Sequence, residues 1–265
     1  MQHKLMYFHS KTILTIVMLL TFIASLFSVE WGGELVHAGG WTTMLQMIQG
    51  MLQPDFSLEI LKLAFMSAWI TLAYAVAGMT LAVLFGFVFG VLSSGILLKN
   101  RGASHYAVKN FFRGMLGFLR AIHELVWALL FVAATGISPF AAIFAIAIPY
   151  SGILGRVFSD IFTNVPEKPL QSLRANGATR LQQLLYGYLP FAAPDLISYA
   201  FYRFECAIRS SAIMSFIGLG GLGFQIQLSM QDLHYDEVWT FLIFLIGMVM
   251  IVDLWSQMLR KRLVA

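Results

Sequence analysis

Six ionisable residues sit in stretches that are otherwise strongly apolar: Arg120 and Glu124, Arg156, and Arg203, Glu205 and Arg209. A charged side chain at the bilayer centre costs roughly 2.5–3.5 kcal/mol on insertion scales, so each must pair, face a bundle interior or line water. Arg120 and Glu124 stand four apart, as do Arg156 and Asp160, and a continuous helix puts each pair on one face. The third group sets one carboxylate against two guanidiniums and cannot neutralise itself. Two readings stay open for these groups. They are interhelical ion pairs that fix packing, with Arg203 and Glu205 as one pair, or they mark a route for an oxyanion. Arginine suits the second because its planar fork donates two hydrogen bonds to one oxyanion group.

Other chemistries find little support. Gly218, Gly220 and Gly223 satisfy GxGxxG letter by letter. Dinucleotide binding, however, needs a strand before that motif, a helix after it and an acidic residue about 20 positions on. Here the glycines end an apolar stretch and suit a turning or re-entrant backbone. No GxxxxGK[ST] occurs, so the chain cannot hydrolyse ATP alone, and no catalytic residue is assigned. Cys206 is the single cysteine, which excludes an intrachain disulfide and a cysteine-based metal site. The six histidines show no metal-binding spacing, and no cofactor is expected in this chain. His123, beside Glu124, reads as a satisfied interior histidine, with a proton relay as the alternative. The pI near 9.2 does not point to nucleic acid, because the charges lie at segment ends rather than on one basic face.

The elements that carry these residues are membrane helices. Composition is 59% hydrophobic and 11% charged, against roughly 25% charged in soluble domains. Residues 63–98 contain no Asp, Glu, Lys or Arg, and about 20 apolar residues suffice to cross a bilayer. Six spans are expected, at 12–29, 66–98, 115–136, 139–163, 192–217 and 238–259. Most basic residues then fall on one side, whereas the other side holds Lys62 among seven acidic residues. The positive-inside rule makes that first side cytoplasmic, with both termini there. Ser28-Val29-Glu30 is a poor cleavage site, so the first span reads as a retained anchor.

Residues 1–62 thus form an anchor and an exterior loop, in which TMLQMIQGML reads as an amphipathic interfacial helix near Trp31 and Trp41. Residues 63–262 form a transmembrane domain. Gly86 and Gly90 make a GxxxG face for close helix packing, in the bundle or at a dimer seam. Ile137-Ser138-Pro139 makes a tight exterior turn.

The polar stretch 164–191 is the place for a soluble partner to dock. It reads as helix, glycine break at Gly177, helix and proline stop at Pro190. Leu170 and Leu173 share one face, and Leu181, Leu184 and Leu185 another. Gly177 and Ala178 leave a small, bare surface between them.

Gly177, followed at offsets of twelve and thirteen by Leu189 and Pro190, resembles the loop signature of ABC importer permeases. Segments 120–132, 164–179 and 202–223 resemble the phosphonate-type branch, and the likeness covers most of residues 50–262. The resemblance implies an all-α bundle of the type I importer kind. It implies that Gln171, Leu173, Ala175, Gly177, Ala178, Leu189 and Pro190 form a coupling loop for an ATPase subunit. It also implies two ATPase copies holding ATP and Mg, an extracytoplasmic binding protein, a second permease chain, and a bacterial inner membrane location. Imported phosphonates, phosphite or phosphate esters are the expected cargo. Methionine or another small solute is the rival within the class. A proton-coupled transporter using His123, Glu124 and Glu205, and a non-transporting scaffold, are rivals outside it.

The chain departs from the family pattern at four positions. Gln171 and Ser172 stand where the family has Glu and Ala, and Gly187 replaces an apolar residue. Glycine at 187 is expected to loosen the following helix by up to about 1 kcal/mol. His123 replaces a proline before Glu124, which puts an identical helix kink in doubt.

Overall fold

The structure, a computed structural model, describes residues 2–28, 40–98 and 102–264. Trp31, the Val29-Glu30 junction, and Lys99 and Arg101 between the second and third expected spans lie outside the described residues. The described residues form helices and turns only. The chain divides into two compact units, 1–48 and 49–265. The first holds helix α1, Gln2–Ser28, and most of α2, Gly40–Leu52. In α1, Lys11–Ser28 is apolar enough to cross a membrane and exposes every side chain. The amphipathic run expected after residue 40 is α2.

In the second unit, α3 (Leu58–Ser94), α6 (Pro139–Thr163) and α11 (Tyr235–Val264) are each long and apolar enough to span. Two further spans are composite. The helix expected at 115–136 is broken into α4 (Ala103–Ala121) and α5 (Glu124–Thr135), bent by 84°. The kink exists without a proline at 123. Ile122 is extended, and His123 caps α5, its Nδ1 accepting the backbone N–H of Leu125 at 3.3 Å. The expected interior histidine is therefore an exposed helix cap.

After α7 (Glu167–Ala175) and α8 (Arg180–Gln183), a π-helical turn, Leu184–Tyr188, runs straight into α9, Leu189–Met214. The expected stop at Pro190 does not occur. Proline lacks the N–H for an i→i−4 bond, and the preceding turn is already wound with an i→i−5 bond from Leu189 N–H to the Leu184 carbonyl. A 3₁₀ turn, Ser215–Ile217, and a glycine corner lead to α10, Leu222–Gln231. Counted with the two bent pairs, up to six helices or helix pairs can cross a membrane.

The bundle closes on glycines. A Cβ at Gly78, Gly86 or Gly90 of α3 would stand 2.8–2.9 Å from the Cβ atoms of Ile146, Leu154 or Phe158 of α6. The GxxxG face thus serves packing within the chain. On another side of α6, Gly152 and Gly155 admit α4 through Leu116 and Leu119. The corner before α10 has Gly218, Gly220 and Gly221 at positive φ, as expected of a turning backbone. Thr71 secures it, its Oγ1 accepting the Leu222 N–H at 2.9 Å while its carbonyl accepts from Ser211 Oγ at 2.9 Å.

Replacing Gly86 with Ala forces a Cβ against the backbone-borne Cβ of Leu154, which no rotamer change relieves. The expected cost is about 1–3 kcal/mol, read as a lower thermal midpoint in detergent. Gly117→Ala, with nothing within 4 Å of its added Cβ, is the matched control. Equal midpoints for the two variants would contradict the glycine seam.

Candidate functional site

Two groups of residues stand out, one on the polar loop and one inside the bundle. On the loop, α7 ends at Ala175, and Gly177 turns the chain with φ +78°. Nothing lies within 4 Å of a Cβ built at Gly177, so the corner is bare as well as bent. Thr179 then caps α8 through a reciprocal box, its Oγ1 accepting the Gln182 N–H while Gln182 Oε1 accepts the Thr179 N–H at 2.8 Å.

The corner is held from below. Leu170 is buried, and the Cδ atoms of Leu170 and Leu173 stand 2.7 and 2.9 Å from where a Cβ at Gly187 would be. Gly187, inside the π-helical turn, is thus also the seat that lets α7 approach. Gln183, missed in the sequence reading, is buried and ties both arms. Its Nε2 donates to the Ala178 carbonyl at 2.8 Å, and its Oε1 accepts from Arg174 Nε at 3.3 Å. A glutamine inside an otherwise surface-like QQLL run gave no sign of this.

Gln171 is exposed, its amide 3.5 Å from Glu167. Leu184 is buried, whereas Leu181 and Leu185 are exposed. The expected face of Leu181, Leu184 and Leu185 is thus split between core and surface, whereas Leu170 and Leu173 pack together on Gly187. Leu189 and Pro190 sit at the base of α9, with Pro190 exposed.

Inside the bundle the charges pair differently from expectation. The break at Ile122 places Arg120 and Glu124 on separate helices, and they do not form one helix face. Glu124 Oε1 instead accepts from Ser210 Oγ at 2.6 Å, and Ser210 lies 2.9 Å from the Tyr150 hydroxyl. This chain ties α5, α6 and α9 together. His123 Nε2 is 3.7 Å from Glu124 at the exposed edge. Arg156 does pair with Asp160, at 3.2 Å, and Arg113 reaches the same carboxylate at 3.7 Å.

Arg203 and Glu205 do not pair with each other. Residues two apart on a helix point in different directions. Glu205, buried, bonds Arg260 of α11 at 2.8 Å. Arg260 lies just past the last expected span, 55 residues from Glu205, and that separation hides the contact in the sequence. Arg203 Nε donates to the Tyr199 hydroxyl at 2.9 Å, and its guanidinium carbon lies 5.3 and 5.5 Å from the Tyr199 and Tyr202 ring centroids. Such contacts recover about 0.5–2 kcal/mol each, less than the insertion cost of a lone charge. Arg209 is exposed, touching Cys206 Sγ at 3.8 Å, and Arg120 is exposed too. Neither has a carboxylate within 4 Å among the described residues. Among those residues no group of three metal-ligating side chains is found.

Residues 95–265 match the family described as binding-protein-dependent transport system inner membrane component. The phosphite transport system permease protein PtxC of Stutzerimonas stutzeri is 35% identical over 191 residues, which are 72% of this chain and 68% of that protein. The phosphate-import permease protein PhnE of Mycolicibacterium smegmatis is 32% identical over 167 residues, 63% of this chain and 30% of that one. Among solved structures, a chain of the methionine ABC transporter MetNI in an inward-facing conformation superposes with a TM-score of 0.68. It is 20% identical, and the match covers 78% of this chain and 99% of that one, which is a likeness of fold. The all-α bundle with its polar loop is the type I importer architecture, and the chain belongs to the binding-protein-dependent transport family as an inner membrane permease component of an ABC importer.

Proposed function

We propose that the chain conducts phosphonates or related phosphorus oxyanions, such as phosphite and phosphate esters, into the cell. Power comes from ATP and Mg bound in a separate ATPase, two copies of which serve the transporter. An extracytoplasmic binding protein delivers the anion, and a second copy of this chain or a similar permease completes the path. Both termini and the loop at Gly177 lie on the cytoplasmic side. The observation that carries this reading is the loop: a bare, left-handed corner braced on the bundle by Leu170, Leu173 and Gln183. Such a corner is small enough to enter a cleft and stiff enough to transmit a push. The oxyanion cargo draws support from the unpaired guanidiniums of Arg120 and Arg209 and from the cargo named for the relatives. In lipid, exposed guanidiniums are costly, so a water-filled path is the favourable surrounding for both. The proton-coupled alternative is weakened by the exposed capping role of His123 and by the engagement of Glu205 with Arg260.

Gly177→Asp separates docking from folding, because Asp tolerates left-handed backbone better than most residues and meets nothing within 4 Å. Co-purification with the neighbouring ATPase and ATP-dependent phosphite uptake are both expected to fall at least about tenfold, while the thermal midpoint stays at the wild-type value. Full association and uptake in the variant would remove the corner from the interface.

Arg209→Ala is expected to reduce phosphite uptake about tenfold, the effect of losing roughly 1.4 kcal/mol of attraction, with assembly intact. Wild-type uptake in that variant would show that Arg209 is not on the path.

A further inference from the structure

Arg203 is half-buried near the middle of α9, about 21 Å from Leu189 and about 16 Å from Met214 at 1.5 Å per residue. Its fork is half used. The Nε edge donates to Tyr199, and the plane is held beside the rings of Tyr199 and Tyr202, whose centroids are 6.0 Å apart. The two terminal nitrogens carry four of the five guanidinium donors. Among the described residues they meet neither a carboxylate within ion-pairing distance nor a hydrogen-bond partner. Glu205, two residues along the helix, is engaged by Arg260 at 2.8 Å, and Glu124 forms no ion pair with Arg203. A guanidinium with its orientation fixed and its outer edge free differs from Arg209, which is exposed and touches a single sulfur.

We infer that Arg203 is the group that receives the oxyanion midway through the membrane. Its terminal nitrogens donate to two oxygens of one tetrahedral phosphorus centre. Tyr199 and Tyr202 are positioning residues that set the plane of the fork. The Arg260–Glu205 pair keeps the neighbouring carboxylate from neutralising it. This rests on the oxyanion-import reading above. It explains why that part of α9 keeps an unmatched charge: a carboxylate partner would compete with the cargo for the same donors.

The test uses proteoliposomes holding the permease with its ATPase, supplied with the loaded binding protein, and inorganic phosphite and inorganic phosphate as probes in turn. The quantity read is anion imported per ATP hydrolysed. A merely structural lesion lowers both processes together and leaves the ratio alone. Arg203→Gln is expected to lower the ratio at least about tenfold, and Arg203→Lys, which keeps the charge without the fork, at least about threefold. Tyr199→Phe keeps the ring, removes one oxygen and is expected to lower it about threefold. A ratio within twofold of wild type for Arg203→Gln overturns the inference, and full recovery in Arg203→Lys overturns the two-point contact. If Arg203→Gln fails to assemble, Tyr199→Phe decides, and an unchanged ratio there overturns the assignment. If the wild-type complex imports neither probe, the oxyanion reading itself falls, an outcome distinct from any change among variants.

Discussion

The approach of α3 to α6 sets the distances on which the rest of the second unit depends. Lipid tails are as apolar as leucine side chains, so helices in a membrane gain little from hiding apolar surface against each other. Close van der Waals contact and interhelical hydrogen bonds must hold them instead. Gly78, Gly86 and Gly90 provide the contact, because any larger residue there would meet the Cβ atoms of Ile146, Leu154 or Phe158. Gly152 and Gly155 repeat the arrangement toward α4. With α6 thus fixed, Tyr150 presents its hydroxyl to Ser210, and the bond from Ser210 to Glu124 locks α9 to the first turn of α5. The polar network exists because the glycines hold α6 in reach of it.

Charge is then distributed by what the packing leaves accessible. Glu205 is buried and fully matched by Arg260, so that pair serves as a brace between α9 and α11. Breaking such a pair by removing one partner leaves an uncompensated buried charge, which is far costlier than the pair is favourable. Asp160, shared by Arg113 and Arg156, does the same for α4 and α6 at a more exposed level. In the apolar stretches, the guanidiniums of Arg120, Arg203 and Arg209 are left with no acid within 4 Å among the described residues. Those stretches therefore carry more positive than matched negative charge.

Much of this was legible in the sequence. The length and charge depletion of residues 63–98 gave α3, and the pattern around Gly177 gave a helix, a bare turn and a second helix. Local rules failed where a distant residue decided the outcome. Four-residue spacing suggested one face for Arg120 and Glu124, but His123 caps a new helix between them. Proximity in sequence suggested Arg203 with Glu205, whereas the partner of Glu205 comes from another helix 55 residues away. At Gly187, propensity scales price the glycine but say nothing of the space that Leu170 and Leu173 fill there. Arg156 and Asp160 succeeded for the complementary reason: their helix is unbroken, and spacing alone fixed the contact.

The route from the loop to Arg203 runs along one nearly continuous helix. From Arg180 the chain winds through α8 and the π-helical turn into α9 and reaches Met214 without a loop. Pro190 and Pro194 each lack an N–H, so the base of α9 has fewer backbone hydrogen bonds than its upper part. The segment carrying Arg203, Glu205 and Ser210 lies above these prolines, in the unbroken part of α9. At its far end α9 is tied to α3, Ser211 Oγ donating to the Thr71 carbonyl at 2.9 Å. Between its base and its tip, the Arg260–Glu205 pair braces α9 against α11, close in sequence to the free edge of Arg203.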